Sequence, residues 1–562
     1  MYTRATRVCP PVEQRVPMPQ EPQIEIQSEA VADAQVAKPV ASLRQQSAWL
    51  LAAKIIGFGF SFILPLVIVR YLDQEQVGNY RQAFLVITNA IVILPLGFSM
   101  SAYYFLARET ERRGAAILNI LLFNFVVGGL ACLGLFLYPE VLGRIFQADE
   151  MTALAPKIGV VIWIWIFSTF LETVAIANQE ARVATVFIVL AQFSKTLLMA
   201  AAVFVFSTVE AFVWAAMVQG VIQTAVLLWY LRSRFPRFWT AWNARFFWEQ
   251  MMYAVPFGLT GILWIAQTDI HNYFVGYKFS SSDFAIYAYG CFEIPLISML
   301  AESVNSVLIP RMNILQMRGD REEMIRLTAR AMSKLAFAYF PIYVFLLITS
   351  KTFITTLFTD KYAASVPVFV INITLLPFAI LVMDPIVRSY KELGRLFLLT
   401  RIFVLTCLVA VLYYGLRSFG LQGMISTAVG AVIFERCIAT TLVATKVGLS
   451  LGHLRLLKKV GWTAVAAVIA GVATWAVYAN LVGYVPSIGT QLGVEILGIT
   501  KPTVISFIGG AVVLALCGVV FVPTYLLMAN ILGLIDAEEK DGVRKLVRRF
   551  IPLRDRAVEQ GA

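Results

Sequence analysis

Long apolar stretches separated by short polar or basic connections run from about residue 47 to residue 530. A helix that spans a bilayer needs roughly 20 predominantly apolar residues. Segments of about that length predict fourteen transmembrane helices, at 47–69, 82–106, 116–137, 153–175, 184–205, 211–231, 249–270, 284–310, 335–350, 365–387, 396–416, 421–445, 460–482 and 503–530. The connections are too short for a soluble domain. The pattern therefore predicts an all-α integral membrane protein.

The two ends of the chain have a different pattern. Residues 1–45 hold six prolines among Glu, Gln and Val and no sustained apolar run, which predicts a disordered cytoplasmic tail. They also lack the apolar stretch of about 7–15 residues that a signal peptide requires. Residues 531–562 predict a basic tail, because apolar and basic positions alternate at helical spacing over 543–553. Such a helix is typical of an anionic membrane surface.

The distribution of Lys and Arg predicts the orientation of the helices. Short inner connections carry an excess of these residues. If the N-terminus is inside and the helices alternate strictly, most of the 46 Lys and Arg residues fall on the inner side. The outer regions hold only Arg70, Arg81, Arg144, Lys278, Lys351, Lys361, Arg417 and Lys501. Both termini and the linker 232–248 are therefore predicted to be cytoplasmic.

Composition supports a membrane protein and excludes several functions. The chain of 562 residues is 59% hydrophobic and 14% charged, and a soluble domain is typically about 25% charged. The net charge of +12 does not predict nucleic-acid binding, because the basic residues lie between apolar segments rather than on a soluble face. The six cysteines have no metal-site spacing, and two histidines disfavour histidine-based chemistry. We therefore predict no metal, no cofactor and no enzyme.

Ionisable residues inside the predicted spans are candidate site residues, because each needs a partner or a wet cavity. Lys54 shares a helical face with Ser47 and Ser61, and Lys195 shares one with Gln192 and Thr185. An ammonium group offers a compact charge and three donors to an anionic ligand. A lysine can instead extend to the membrane surface, and that alternative stays open for Lys54 in particular.

Acidic residues in the spans provide a second group of candidates. Glu302 shares a face with Asn305, which indicates a polar wall in the eighth span. Asp269 in the seventh span and Glu293 in the eighth are candidates for binding a coupling proton or Na⁺. Glycine and proline suggest bends in spans one, seven and ten, at Gly57, Gly59, Pro65, Pro256, Gly258, Pro367, Pro377 and Pro385.

A weak internal repeat predicts two related halves. A shift of 207 residues aligns 70–80 with 277–287, and six spans precede and follow the linker. The predicted organisation is an N-terminal six-helix half, a pseudo-symmetric C-terminal half around a central cavity, and two additional helices. The boundaries are 46–231, 249–446 and 447–530. This is the usual plan of alternating-access transporters.

Motifs along about 400 residues resemble the polysaccharide transporter family of oligosaccharide flippases. This family shares a superfamily with MATE drug exporters and lipid II flippases. The residues that carry the resemblance are LVIVRYL at 66–72, VGNY at 77–80, GFSMSAYYFLAR at 97–108, VPFGLT at 255–260, VLIPR at 307–311 and GLQG at 420–423. The chain departs from the family at Ala285, often a glycine there, and at Ile270 and His271, where a basic residue often follows the aspartate.

The resemblance implies a function. It implies translocation of polyprenyl-diphosphate-linked oligosaccharides by alternating access, in the bacterial inner membrane, for exopolysaccharide, capsule or O-antigen synthesis. It also implies contact with membrane lipid, a polysaccharide polymerase and other biosynthesis proteins. Moving hydroxyls and a diphosphate through about 30 Å of hydrocarbon needs a hydrated protein cavity.

Two alternatives remain open from the sequence. A MATE-like exporter of cationic drugs would share the architecture, although Lys54 and Lys195 favour an anionic substrate. A membrane glycan polymerase or acyltransferase would normally need a large outer loop or an intramembrane histidine, whereas the outer loops are short and His453 falls in an inner loop.

Overall fold

The computed structural model describes residues 43–109, 111–240, 242–496 and 498–535. Most of the predicted N-terminal tail and the basic amphipathic tail from residue 536 onward lie outside these ranges. Contacts divide the chain into residues 1–48 and 49–562. Of the first unit, only the helical residues 43–48 are described. Every regular element in the described ranges is a helix.

The α-helices have sequences dominated by Leu, Ile, Val, Phe and Ala. An α-helix satisfies its backbone hydrogen bonds internally, so it is the natural form for an apolar segment in a membrane. The helices are α1 (Leu43–Tyr71), α2 (Gln74–Ile93), α3 (Ala102–Arg108), α4 (Arg113–Leu137), α5 (Glu140–Phe146), α6 (Asp149–Ser168), α7 (Phe170–Ala177), α8 (Ala181–Val205), α9 (Val209–Arg234), α10 (Ala244–Lys278), α11 (Ser281–Gly290), α12 (Pro295–Arg318), α13 (Arg321–Phe358), α14 (Val366–Ile373), α15 (Leu375–Phe378), α16 (Asp384–Ser389), α17 (Lys391–Gly415), α18 (Leu421–Val447), α19 (Lys458–Leu481), α20 (Val485–Thr490) and α21 (Pro502–Ile531).

Three of the predicted spans are broken. After α2, Leu96 and Gly97 take left-handed φ values of 49° and 73°, and the second span bends by 43°. The eighth span is interrupted between α11 and α12, just before Pro295. The tenth divides into α14, α15 and α16, as its prolines predict, because proline removes a backbone donor. In contrast, α1 and α10 each run as one continuous helix, and the bends suggested within them stay predictions.

Eleven helical segments are long and apolar enough to cross a membrane, and the bent second span would make twelve. The chain is therefore a multi-pass membrane protein, but this measure does not reach the predicted fourteen. The segments that fall short are the seventh and eighth, which contain α10 and α11–α12. They carry Gln267, Asp269, Glu293 and Glu302. The polar residues that lower their hydropathy are those that a cavity in the membrane would require.

Two local predictions differ from the structure. Arg81 was assigned to an outer loop, but α2 already begins at Gln74 and Arg81 lies within it. The amphipathic pattern of residues 314–334 predicts a helix that connects spans eight and nine. Instead α12 continues to Arg318, and α13 begins at Arg321 and extends to Phe358. Gly319 makes this tight turn possible, since its φ of 71° suits glycine.

The helices of the two predicted halves meet mainly through α2 and α11 and through α10, which also packs against α4 and α5. Within the halves, α4 packs on α6, and α17 packs on α18. The two additional helices, α19 and α21, pack on each other and on α13. A cavity enclosed between α2 and the C-terminal half lies at the meeting of these elements.

Candidate functional site

The cavity between the two predicted halves has a volume of about 420 Å³. It is formed by α2 from the N-terminal half and by α10, α11, α14 and α18 from the C-terminal half. Aromatic and aliphatic side chains, including Phe84, Phe284 and Val429, cover part of its wall. The polar part is made by Arg81, Gln267, Asp269, Asn272, Glu293 and Asn372. A mixed wall of this kind can hold a polar ligand and fix its orientation.

Asp269 and Glu293, the two predicted ion-coupling candidates, line this same cavity. Asp269 comes from α10, and Glu293 comes from the break between α11 and α12. The break leaves Glu293 exposed to the cavity instead of packed along a regular helix. Nearby, His271 is buried, and its Nδ1 shares a 2.8 Å hydrogen bond with the Tyr287 hydroxyl. In the described ranges, no three His, Cys, Asp or Glu residues are placed to hold a metal ion.

Arg81 is a cavity residue that the sequence analysis missed. Its guanidinium stacks on the Tyr289 ring, with Cζ 4.6 Å from the ring centroid, and its Nε has no hydrogen-bond partner. Among the described residues, no ion pair joins Arg81 to Asp269 or Glu293. The capping box of Asp73 and Gln76 was the available signal, because it marks the start of α2 and places Arg81 inside the helix.

A buried polar cluster lies in the C-terminal half behind the cavity wall. Glu435 on α18 accepts a hydrogen bond from Nε2 of Gln267 on α10. Its Oε1 also lies 3.0 Å from Nε of Arg401 on α17. The Arg401 guanidinium lies between the rings of Trp264 and Phe397, at 4.9 and 4.8 Å. Glu435 therefore has compensating partners, as a buried charge requires.

Lys54 and Glu302 form an ion pair between α1 and α12. Their Nζ and Oε1 atoms are 3.3 Å apart, and their side chains remain 47% and 69% exposed. Such an accessible pair is weak and can exchange partners. Lys54 also interacts electrostatically with Glu172 on α7. The structure therefore joins two predicted site residues, at a position separate from the lining of the 420 Å³ cavity.

The other predicted residues lie elsewhere. Lys195 on α8 places its Nζ 4.8 Å from the centroid of the Trp165 ring on α6. Gln192 accepts a 3.2 Å hydrogen bond from Ser61 on α1. Asn305 has a buried Oδ1 without a hydrogen-bond partner. None of these three residues contributes to the wall of the cavity.

The predicted outer end of the bundle is closed by contacts between the halves. Arg70 donates hydrogen bonds of 2.9 Å to the carbonyl oxygens of Leu357 and Thr356, at the end of α13. Gln74 donates a 2.8 Å bond to the Lys361 carbonyl. Gly78 packs so closely that a Cβ there would overlap the backbone of Ser281. We refer to these contacts as the outer closure.

A family model described as polysaccharide biosynthesis protein matches residues 43–316. The match covers just under half of the chain. No curated protein matches the sequence.

Solved structures of several membrane transporters are similar in fold to this chain. The lipid II flippase MurJ, in an inward closed conformation, is 13% identical with a TM-score of 0.59, and the match covers 90% of this chain and 100% of that one. An inward-facing multidrug resistance MATE transporter is 15% identical with a TM-score of 0.55, covering 69% and 94%. A MOP superfamily transporter from Pyrococcus furiosus is 16% identical with a TM-score of 0.52, and the match covers 72% of this chain and 96% of that one. These likenesses show the fold, and together with the family match they confirm the resemblance inferred from the sequence.

Proposed function

We propose that the protein translocates polyprenyl-diphosphate-linked oligosaccharide units across the cytoplasmic membrane, with both termini on the cytoplasmic side. The observation that carries this proposal is the cavity between the halves, whose wall combines Arg81, Asp269 and Glu293 with three amides. Charged and amide groups in a membrane are costly unless they face water or a polar ligand. The match to the polysaccharide biosynthesis family supports a lipid-linked glycan as the ligand.

Alternating access would follow from movement of the halves around this cavity. The outer closure blocks the predicted outer end through Arg70, Gln74 and Gly78. Its hydrogen bonds are few and lie at helix ends, so they can break without unfolding a helix. The glycan would enter from the inner leaflet, while the polyprenyl chain remains in lipid.

Lys54 would bind the diphosphate at the inner side of this route. The ion pair with Glu302 is exposed, so a doubly charged phosphate group could displace the carboxylate. At a rise of about 1.5 Å per residue along α1 and α2, Lys54 and Arg81 are separated by roughly 15 Å along the helix axes. A diphosphate at Lys54 would therefore leave the sugars within reach of the cavity. Lys195, Gln192 and Asn305 are proposed to form the polar wall, with Asp269 and Glu293 binding the coupling ion.

The test uses the purified full-length protein in phospholipid vesicles with a fluorescent polyprenyl-diphosphate oligosaccharide. Transfer between leaflets is followed with a quencher that does not cross the membrane. We expect Lys54→Ala to slow transfer at least about ten-fold, because it removes the only positive charge of that pair. Lys54→Arg should keep part of the rate, and Lys391→Ala, at an exposed site, should match the wild type. Wild-type protein that moves no such lipid contradicts the proposal.

Export of organic cations is the second candidate function. One observation favours it. The cavity wall holds two carboxylates and one guanidinium, and this excess of acidic groups would suit a cation. The same vesicles, loaded with a fluorescent organic cation, distinguish the two functions. Uptake or release of the cation without movement of the glycan lipid would select the exporter.

A further inference from the structure

Both carboxylates of the cavity wall lie on its C-terminal side. Asp269 and Glu293 both line it, and an ionised carboxylate only accepts hydrogen bonds. The two residues come from different elements, α10 and the α11–α12 break, and in the described structure neither takes part in an ion pair. A ligand that contacts them must therefore donate.

The buried cluster fixes the orientation of Gln267. Its Nε2 donates to Glu435, whose other oxygen is held by Arg401. The amide cannot rotate without losing this bond, so the Oε1 atom of Gln267 stays on the side of the amide that does not face Glu435. That oxygen is buried and has no hydrogen-bond partner. A buried acceptor without a partner is costly, and a donor from a ligand would relieve the cost. Glu435 and Arg401 thus act as positioning residues for a third acceptor in the cavity wall.

Arg81 provides the opposing group from the N-terminal half. It is the one Lys or Arg among the residues that line the cavity, and the Tyr289 ring holds its guanidinium in place. Before a coupling ion is bound, one positive charge faces two negative charges, so a further carboxylate brought by a ligand would meet net repulsion. Repulsion between like charges is stronger in a low-dielectric cavity than in water.

We propose that this cavity selects the glycan by charge. It accepts sugars that present hydroxyl or amino groups, and it rejects sugars that carry a carboxylate, such as a hexuronic acid. Hydroxyl and amino groups donate to Asp269, Glu293 and Oε1 of Gln267, and a sugar oxygen accepts from Arg81. A carboxylate can accept from Arg81 and from the amides of the wall, but it brings no donor for Asp269, Glu293 and Oε1 of Gln267, and it adds a third negative charge. This inference rests on the proposed function and specifies its substrate class.

The experiment compares two lipid-linked glycans in vesicles that contain the full-length protein. The probes are fluorescent polyprenyl-diphosphate trisaccharides that differ only in the last sugar, a neutral hexose or the corresponding hexuronic acid. We expect the wild type to transfer the hexose probe at least about ten-fold faster. Asp269→Asn combined with Glu293→Gln removes both negative charges, and this ratio should then fall to about two-fold or less. Glu392→Gln is the control, because Glu392 pairs with Lys446 outside the cavity, and it should leave the ratio unchanged.

The positioning role has its own readout in the same assay. Glu435→Gln frees the Gln267 amide to rotate, so the preference for the hexose probe should decrease even where the hexose rate remains substantial. Gln267→Leu removes the acceptor while keeping the Arg401–Glu435 pair, and it tests the same point if Glu435→Gln fails to accumulate.

The outcomes separate the two proposals. Equal wild-type rates for the two probes, or a faster hexuronic acid, overturn the charge selection and leave the flippase function standing. An unchanged ratio in the double variant also overturns it. If the wild type moves neither probe, the flippase function itself fails and the selection fails with it.

Discussion

Lys195 shows how a charged side chain is accommodated inside the N-terminal half. Its ammonium group lies against the Trp165 ring, and the indole N–H of Trp165 donates a 2.9 Å hydrogen bond to the Ala216 carbonyl. A cation on an aromatic face contributes about 2 kcal/mol where water is largely excluded. The contact holds Lys195 on α8 beside α6.

Substitution of Lys195 tests whether that charge serves transport. We expect Lys195→Ala to lose glycan export at a normal protein level, since the substitution removes a cation from the proposed substrate route. Lys195→Arg should retain a measurable part, because arginine keeps the charge and also stacks on Trp165. Lys157→Ala, which breaks a partly exposed pair with Glu210, is the matched control and should export normally. Normal export by Lys195→Ala would make the residue purely structural.

The Arg401–Glu435 pair predicts a characteristic pattern of stability. Both side chains are largely buried, at 15% and 5% exposure. Arg401→Met leaves the Glu435 charge without its partner and should destabilise the protein by about 3–5 kcal/mol. The double variant Arg401→Met with Glu435→Leu should lose less, because no uncompensated charge remains. Thermal unfolding in detergent measures both, and a double variant less stable than Arg401→Met would contradict this account.

Site residues could be predicted from the sequence only as single positions. Asp269 and Glu293 were recognised because a charge in an apolar segment is conspicuous. Their common cavity was not predictable, since hydropathy carries no information on the distance between α10 and the α11–α12 break. Arg81 was missed because the apolar window of the second span begins after it, although the helix starts at Gln74.

Among the elements, the bend of the second span depends on a close approach by α10. Gly258 on α10 meets the backbone of Leu96 and Gly97, so a Cβ at Gly258 would overlap that backbone. The sequence indicated the special role of Gly258 but suggested a bend in α10 itself. The structure shows that α10 remains straight enough to be one helix, and that the glycine accommodates the bend of its neighbour.

Replacing this glycine therefore has a defined cost. Gly258→Ala should destabilise the protein by about 1–3 kcal/mol, because the backbone of the bend cannot easily move away. Gly261→Ala, in the same helix but with open space around its Cβ position, should be neutral or slightly stabilising. Thermal unfolding of the two variants provides the comparison. Equal loss in both would show that helix propensity, rather than the close approach, governs the effect.

On the scale of the whole molecule, the sequence predicted the all-α membrane class because apolar length is a strong signal. The number of spans was harder to predict from hydropathy, since the seventh and eighth spans contain polar residues that line the cavity. The domain boundaries at 231, 249 and 446 remain predictions.

Orientation can be measured directly with reporter fusions. Fusions at Arg113, Arg237 and Arg321 should report the cytoplasm, and fusions near Ser281 and Ser487 should report the outside, as the distribution of Lys and Arg predicts. Two neighbouring positions reported on the same side where opposite sides are expected would show that the number of spans between them is wrong.

The outer closure has a consequence for how this protein tolerates mutation. Arg70 and Gln74 of the N-terminal half supply the side chains, whereas the C-terminal half supplies only backbone oxygens of Thr356, Leu357 and Lys361. A carbonyl oxygen is present whatever side chain the residue carries. The three acceptor positions are therefore free to vary as far as these bonds are concerned, and the two donors are not. Substitutions at these three positions of the C-terminal half keep the carbonyl acceptors, so the hydrogen bonds of the outer closure depend on the side chains of the N-terminal half alone.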